Sequence, residues 1–492
     1  MSIFVSVASY RDPQLVPTVQ DCLDKARHPE RLRFGICWQH GDDEVLLDWF
    51  GGDQFAVVDV DYRESRGSCW ARAQLVDLWD DADWFLQLDS HHRFVPDWDE
   101  VLHQEYAAAE SDRPVITTYA PPFELGEEPP VWQDPMSMLF RGFNSNGMPM
   151  FMPQPIADWR QRTRPRRARF LSGHFHFAQR QFLRDVPSDP EIYFGGEEID
   201  LAVRAFTHGY DLFEPSRLVM WHEYGRAYRR KHWDDHLGDG GPAWHERDAE
   251  TKRHIRTLFD EPHVGRYGFG AARTLEDYER YAGISFRHRK VQDHTRRNHE
   301  PPGPPLPDDW PTRVLARRLA VDFELPAASR DGLWALTIHD ASGEELHRHH
   351  VVPEDLEQPG HLRLEVDLES LEPPTTWRLL LPDGSTSTEG AVDDAMVDLF
   401  TRRPTRVRGL VWTAEGERFV ATVPGDKRRL ELNSSGALLV ELADGTRSVR
   451  EIAAELRVEH DLDDDPSYAI LELYESALTA GLVELDRGSG PG

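Results

Sequence analysis

Three short runs of residues carry groups able to do chemistry. Asp89-Ser90-His91 follows Trp84-Phe85-Leu86-Gln87-Leu88, an apolar run that reads as a buried strand. A D-x-H triplet leaving the carboxyl end of a parallel strand can set a carboxylate oxygen and an imidazole nitrogen on one side of a divalent cation, with positions left open for phosphate oxygens. The same triplet suits a solvated strand end, and its residue types alone leave both readings open. In the second run, Tyr193-Phe194-Gly195-Gly196-Glu197-Glu198-Ile199-Asp200, two carboxylates stand behind two glycines that let a ligand approach the backbone closely. An acidic first helical turn, complementing the macrodipole, would have the same composition. The third run ends a strand pair at Val219-Met220-Trp221-His222 and continues into the basic-aromatic loop Tyr224-Gly225-Arg226-Ala227-Tyr228-Arg229-Arg230-Lys231.

The elements that must position these groups follow an α/β pattern. Ile3 to Ala8 reads as a buried strand, and Asp12 and Pro13 open a helix with Leu15, Val16, Val19, Leu23 and Ala26 as its apolar stripe. Strand-like runs recur at Leu32 to Trp38, Phe55 to Val60, Trp84 to Leu88 and Val115 to Tyr119, with helical patterns near Cys69 to Leu78 and Trp98 to Ala109. Such alternation predicts a predominantly parallel, doubly wound sheet.

At 492 residues the chain exceeds what one hydrophobic core serves, so two or three domains are expected. Its 56 Lys and Arg against 87 Asp and Glu leave a formal charge of −31, which disfavours nucleic acid as a partner and requires that any polyphosphate ligand be held by a cation or by local arginines. No apolar run approaches the roughly 20 residues of a membrane helix, and Ile3 to Ala8 lacks the basic flank and length of a signal peptide. A soluble, cytoplasmic protein with no membrane partner is expected. Cys22, Cys37 and Cys69 show no metal-ligand spacing and read as packed, reduced thiols.

Asn298 to Pro311 holds six prolines, a composition that favours an extended linker. From Thr312 the pattern changes to short alternating strands such as His361 to Val366 and Trp377 to Leu381, with a turn signal at Pro382-Asp383-Gly384, which suggests a small β-sandwich. The last block has strand candidates at Leu410 to Thr413, Arg418 to Val423 and Arg429 to Leu432. It continues with a helix capped by Asn433, a second opened by the Ser448–Glu451 capping box, and a third carrying Ile470, Leu471, Tyr474, Ala477 and Leu478. The expected domains are residues 1–297, a linker over 298–311, a sandwich over 312–400 and a compact winged-helix-like module over 405–487. Arg160 to Arg169, with six arginines, and His347, His349 and His350 read as solvated faces.

Four motifs in order, SVASYRDP at Ser6 to Pro13, GSCWAR at Gly67 to Arg72, QLDSHHRF at Gln87 to Phe94 and FGGEEIDLAVRAFTHGYDL at Phe194 to Leu212, resemble the bacterial and protist GlcNAc-transferase family that modifies hydroxyl groups on polypeptides. The resemblance spans roughly Ser2 to Lys290 and implies a GT-A-type, Rossmann-like glycosyltransferase domain. It makes Asp89, His91 and His222 ligands of Mn²⁺ or Mg²⁺. It places Arg11, Arg66, Arg72, Asp89, Gly195 and Gly196 on the nucleotide-sugar side, although each arginine could instead pair with surface acids. Glu197 and Glu198 would hydrogen-bond donor-sugar or acceptor hydroxyls, the post-His222 loop would close over the diphosphate, and transfer would retain configuration without a protein nucleophile. His174 and His176 alternate along a probable strand and could line the donor pocket.

RRLELN at Arg428 to Asn433, ELADGTRSVREIAAEL at Glu441 to Leu456 and LTAGLVEL at Leu478 to Leu485 are similar to PqqD-like domains, which bind leader segments of ribosomally synthesised, modified peptides. A leader would add a strand beside Arg429, Leu430, Glu431 and Leu432, and its apolar side chains would enter a groove beside the helix that carries Tyr474. DNA reading is disfavoured because Pro466 to Gly481 contains Glu472 and Glu475 and neither Lys nor Arg. The combined expectation is transfer of a sugar, N-acetylglucosamine from UDP-GlcNAc, onto Ser or Thr of a precursor peptide. Its rivals are glycosylation of a carbohydrate or folded protein, and a non-catalytic peptide-binding scaffold.

Overall fold

The computed structural model describes residues 1–45, 48–127, 129–130, 133–143, 148–225, 228–237, 243–260, 265–324, 334–351, 361–381, 385–392, 399–415, 418–423, 429–459 and 466–486. It divides into two compact units, Met1–Pro305 and Leu306–Gly492.

In the first unit, β1 (Ile3–Tyr10), β2 (Leu32–His40), β3 (Phe55–Asp61) and β4 (Trp84–Asp89) are followed by β5 (His92–Phe94), β6 (Pro114–Thr117), β7 (Met136–Phe143), β8 (Pro149–Pro155), β9 (Arg166–Arg167), β10 (Phe175–Gln179), β11 (Asp211–Glu214) and β12 (Met220–His222). Eight of them form one sheet in the order β3-β2-β1-β4-β10-β6-β11-β9. Strands β1 to β4 pair in parallel, as do β6 and β11, while β10 runs antiparallel to both its neighbours and β9 antiparallel to β11. The parallel-rich α/β sheet matches the expectation; the reversed β10 was not legible, because alternation along a strand carries no direction.

Side-chain alternation explains the layers. Ile3, Val5 and Val7 of β1 join Leu86 and Leu88 of β4 in one apolar cluster, and Phe4 joins Phe85 in another. With both faces apolar, both must be covered. The cover comes from α1 (Leu15–Lys25), α2 (Ser68–Ala73), α3 (Trp98–Ala108), α4 (Gln181–Asp185) and α5 (Glu197–Thr207). Leu15, Val19, Trp98 and Leu102 place α1 and α3 on the first face, and Ala71, Phe182, Ile199 and Val203 place α2, α4 and α5 on the second. On β10, Phe177 is fully buried and stacks on Trp84 at 5.2 Å. Phe177→Ala should therefore cost about 3–5 kcal/mol in urea unfolding, the range for a deleted core aromatic; a change below about 1 kcal/mol would contradict this packing.

A separate antiparallel ribbon, β5 with β12, pairs His222 with His92 and Met220 with Phe94. It carries a distant strand to the carboxyl end of β4. The proline-rich run begins as part of this unit: Asn298 donates through Nδ2 to Ser137 Oγ at 2.7 Å and Gln154 Oε1 at 2.8 Å, and Arg166 donates to the Asn298 carbonyl. Among the described residues no helix is long and apolar enough to cross a membrane.

In the second unit, Leu315–Glu324 pairs antiparallel with His361–Ser370, and Trp334–His339 lies between Glu345–Val351 and Thr376–Leu380, with Thr386–Ala391 beyond. Leu319, Val321, Val366 and Leu368 of the first sheet share a core with Trp334, Leu336, Ile338 and Leu379 of the second, a two-sheet sandwich. The Pro382-Asp383-Gly384 turn lies outside the described residues, as does Arg428. A three-stranded antiparallel sheet (Val411–Glu415, Arg418–Thr422, Arg429–Leu432) precedes helices Ser434–Leu442, Val449–Glu459 and Ser467–Thr479. Asn433 Oδ1 accepts from the Gly436 N–H at 2.8 Å, and Ser448 and Glu451 exchange bonds of 2.8 and 3.2 Å, so both expected caps form.

One expectation is corrected here. Tyr474 lines no groove: it is fully buried in the helical core and donates its hydroxyl to the Leu439 carbonyl at 2.7 Å. Core and groove positions share helical spacing, so periodicity cannot separate them. Among the described residues Arg429–Leu432 pairs on one side only, with Arg418–Thr422, and Leu432 turns into the core while Arg429 and Glu431 form an ion pair.

Candidate functional site

A cleft of about 690 Å³ opens at the carboxyl ends of β1 and β4. Asp89, the last residue of β4, is paired with Ala8 of β1, and both line the cleft. Two residues on, His91 lies against the wall, and the ribbon delivers His222 beside it with ring centroids 4.7 Å apart. Asp89 Oδ2 is 3.8 Å from His91 Nε2 and 3.6 Å from His222 Nε2, and one ligand atom from each of the three lies within 4.8 Å of the others.

These side chains suit a divalent cation. Burial pushes the His222 ring well below the usual imidazole range, so it is neutral and offers a lone pair. Both its nitrogens are buried, and among the described residues neither has a partner within 3.5 Å; Asp89 Oδ2 stands just beyond that reach of Nε2, so the ring's polar atoms are poorly satisfied, a state that a bound cation would relieve. Burial would raise the Asp89 carboxyl, but the adjacent His222, Arg72 and His91 overcome it and hold the group well below the usual carboxylate range. The donor set is therefore one carboxylate and two imidazole nitrogens, a set able to hold a divalent cation.

Behind the trio stands Asp12, which sequence reasoning took only as a helix opener. It does accept from the Gln14 N–H at 2.8 Å, but its other oxygen accepts from His91 Nδ1 and from Ser90 Oγ, each at 2.8 Å. Long-range bonds of this kind leave no local spacing in a sequence. Arg229, from the loop after His222, donates to the same Asp12 oxygen at 3.4 Å and to His91 Nε2 at 3.3 Å.

Gly195, Gly196, Glu197 and Glu198 line the cleft where α5 begins. Gly196 has φ 91°, and a Cβ there would stand 2.1 Å from Ile255 Cδ1, so only glycine fits. Arg72, brought by α2 and buried, donates through Nη2 to Asp89 Oδ1 at 2.7 Å and through Nη1 to Glu197 Oε1. Its α2 is preceded by Gly67, where φ is 114° and a Cβ would meet the Tyr193 carbonyl oxygen at 2.6 Å. Arg72 therefore lines the cleft with its charge already committed to two carboxylates.

Glu198 accepts from Tyr119 Oη at 2.5 Å and from the Gly173 N–H at 3.0 Å, yet burial pushes its carboxyl up to about 7 from an ordinary 4.5. Between those values the folded chain binds more protons than the unfolded one, so this group's stabilisation is complete below about 4.5 and is lost as pH rises through about 7, a span worth about 3 kcal/mol. Glu198→Gln should flatten that fall between pH 5 and pH 8 in urea titrations. Equal pH slopes in variant and parent would refute the assignment.

The remaining expected residues divide. Arg11 does not line the cleft; it bonds Asp235 at 3.3 Å, Glu44 at 3.3 Å and Asp43 at 3.5 Å. Arg66 is exposed and also lies outside the lining. His174 does line it, its ring stacked 4.3 Å from that of His222, while His176 is buried and pushed down to about 3. Arg229, Arg230 and Lys231 join the rim, and Arg226 and Ala227 lie outside the described residues. Composition did not single out the apolar mouth: Met150, Met152, Phe194 and Tyr224 line the cleft although each is 37–42% exposed.

No curated protein matches the chain. Among solved structures it is similar to GalNAc-T7 with UDP, GalNAc and Mn²⁺, at 15% identity and TM-score 0.37, covering 52% of this chain and 48% of that one. It is also similar to S. aureus TarS, at 10% identity and TM-score 0.34, covering 88% and 85%, and to TarS 1-349 in complex with UDP-GlcNAc, at 10% identity and TM-score 0.31, covering 53% and 73%. The chain thus spans about half the length of the GalNAc-T7 chain it matches. A sequence model of the glycosyltransferase (GlcNAc) family matches residues 2–47 and 45–288, more than half of the 492 residues and the whole of the sheet and cleft described above. On that match the chain belongs to the glycosyltransferase (GlcNAc) family.

Proposed function

We propose that this chain is a metal-dependent glycosyltransferase that moves N-acetylglucosamine from UDP-GlcNAc, with retention of configuration, onto Ser or Thr hydroxyls of a peptide. One observation carries the reading: in a member of a GlcNAc-transferase family, Asp89, His91 and His222 converge in the cleft at the carboxyl ends of β1 and β4. Those three residues would hold Mn²⁺ or Mg²⁺, which when bound supplies positive charge against the departing diphosphate. Arg72 holds Asp89 in place. Glu197 and Glu198, beside the close-approach glycines Gly195 and Gly196, face sugar or acceptor hydroxyls. Arg230 and Lys231 at the rim supply cationic side chains for the nucleotide in a chain whose net charge would otherwise repel it.

The apolar mouth favours a peptide over a carbohydrate acceptor, because methionine and phenylalanine side chains pack against apolar residues and cannot donate to hydroxyls. We further propose that the acceptor is a ribosomally made precursor whose leader adds a strand beside Arg429, Leu430, Glu431 and Leu432. That strand pairs on one side only among the described residues, which supports this. Tethering would raise acceptor concentration to the millimolar order when the linker length suits. The test is intact-mass analysis of a candidate precursor incubated with the protein, Mn²⁺ and a panel of nucleotide sugars, with and without its leader. A gain of one N-acetylhexosamine that depends on both metal and leader supports the whole reading, and a gain indifferent to the leader removes the recognition role. No transfer and no metal-dependent hydrolysis of any nucleotide sugar would reject the enzyme.

A further inference from the structure

The buried carboxylate of Asp12 accepts from four donors at once. One oxygen accepts from the Gln14 N–H, which fixes the start of α1; the other accepts from His91 Nδ1 at 2.8 Å, from Ser90 Oγ at 2.8 Å and from Arg229 Nη1 at 3.4 Å. A carboxylate within hydrogen-bond distance of Nδ1 places the imidazole proton there, so Nε2 carries the lone pair. That lone pair faces Asp89, yet it is also the atom to which Arg229 Nη2 donates at 3.3 Å. His91 Nε2 has one lone pair, and a guanidinium N–H and a divalent cation cannot both take it.

We propose that Asp12 is a positioning residue for His91 and that Arg229 competes for the His91 Nε2 lone pair, so that cation binding and the release of Arg229 are a single exchange. This inference rests on the reading of Asp89, His91 and His222 as a cation site. Two consequences follow with opposite signs. Without the Asp12 charge, the His91 tautomer is no longer fixed and cation affinity falls. Without the Arg229 side chain, the lone pair is free in advance and cation affinity rises, although removing a positive side chain from a nucleotide enzyme would ordinarily be expected only to weaken it. Exchange also makes Arg229 accessible: its side chain is 18% exposed while held by Asp12 and His91.

The experiment is titration of the full chain with Mn²⁺ alone, followed by calorimetry and by the free-Mn²⁺ paramagnetic resonance signal. Asp12→Asn keeps an acceptor for Gln14 and should bind Mn²⁺ about 10–100-fold more weakly than the parent. Arg229→Gln should bind it several-fold more tightly. Damage to the fold would weaken both variants, so the opposed signs separate positioning from collapse. In parallel, trypsin followed by mass spectrometry should show faster cleavage after Arg229 when Mn²⁺ is present. Equal or weaker binding by Arg229→Gln, or unchanged binding by Asp12→Asn, overturns the exchange while leaving the cation site standing. Failure of the parent protein to bind Mn²⁺ overturns both readings.

Discussion

On the proposed function, Asp89→Asn should lower Mn²⁺-dependent turnover of the sugar nucleotide by about three orders of magnitude while leaving the chain folded, because a cation clamp on a departing diphosphate would supply several kcal/mol of transition-state stabilisation. The reasoning is local. Asp89 is the only carboxylate among the three candidate ligands, and both imidazoles beside it are buried and within 4 Å of its Oδ2. Asparagine keeps the shape at the end of β4 but removes the negative charge that sets the site's preference for a hard divalent ion. Its side chain is 28% exposed but it also partners the buried Arg72, so the variant should lose some stability while remaining folded, and the comparison of turnover is made well below its melting temperature. Initial rates of UDP release, with and without Mn²⁺, measure the effect. A variant that retains more than about a tenth of parental turnover would remove Asp89 from the cation site, since loss of such a clamp cannot be that mild.

Much of this site was legible because it obeys a rule of open α/β sheets. The β1 and β4 runs announced parallel strands, and a D-x-H triplet at the end of one of them pointed to the edge where ligands bind. His222 was different. Its run reads as a strand end, and only the family resemblance made it a ligand; the β5–β12 ribbon brings it over His91, and a two-stranded pairing between distant segments is invisible in composition or periodicity. The arginines show the same limit from the other side. Arg11 stands just after β1, as a phosphate ligand should, but Asp43, Glu44 and Asp235 from distant positions neutralise it. Arg72, expected on the nucleotide-sugar side, does line the cleft, yet its partners Asp89 and Glu197 become visible only once α2 and α5 face each other across the end of β4. In the last module the caps at Asn433 and Ser448 were readable because capping is a short-range bond. Tyr474 was misread because helical spacing places a residue on a face without saying what that face meets.

Arg72 carries the other large expected effect, this time on the fold. Its guanidinium is buried, and its two terminal nitrogens bridge Glu197, itself buried, and Asp89. Deleting one partner of such a set leaves carboxylates without compensation in a low-dielectric wall, a loss of about 3–5 kcal/mol where both partners are buried. Arg72→Met should therefore lower the unfolding free energy measured in urea by most of that amount, with the outer, more exposed Asp89 contributing less than Glu197. Lysine should not rescue, because one ammonium cannot reproduce two fixed N–H directions to separate acceptors. Arg72→Met combined with Glu197→Gln should recover much of the stability by removing the stranded charge, yet it should still bind Mn²⁺ weakly if Arg72 also orients Asp89 for the cation. Because Glu197 is itself proposed to face sugar or acceptor hydroxyls, urea unfolding and Mn²⁺ affinity on the same three variants, rather than turnover alone, separate the two roles. If the double variant binds Mn²⁺ like the parent, Arg72 serves the fold alone; if Arg72→Met melts like the parent, the bridge between α2 and α5 contributes nothing and the wall is held by packing.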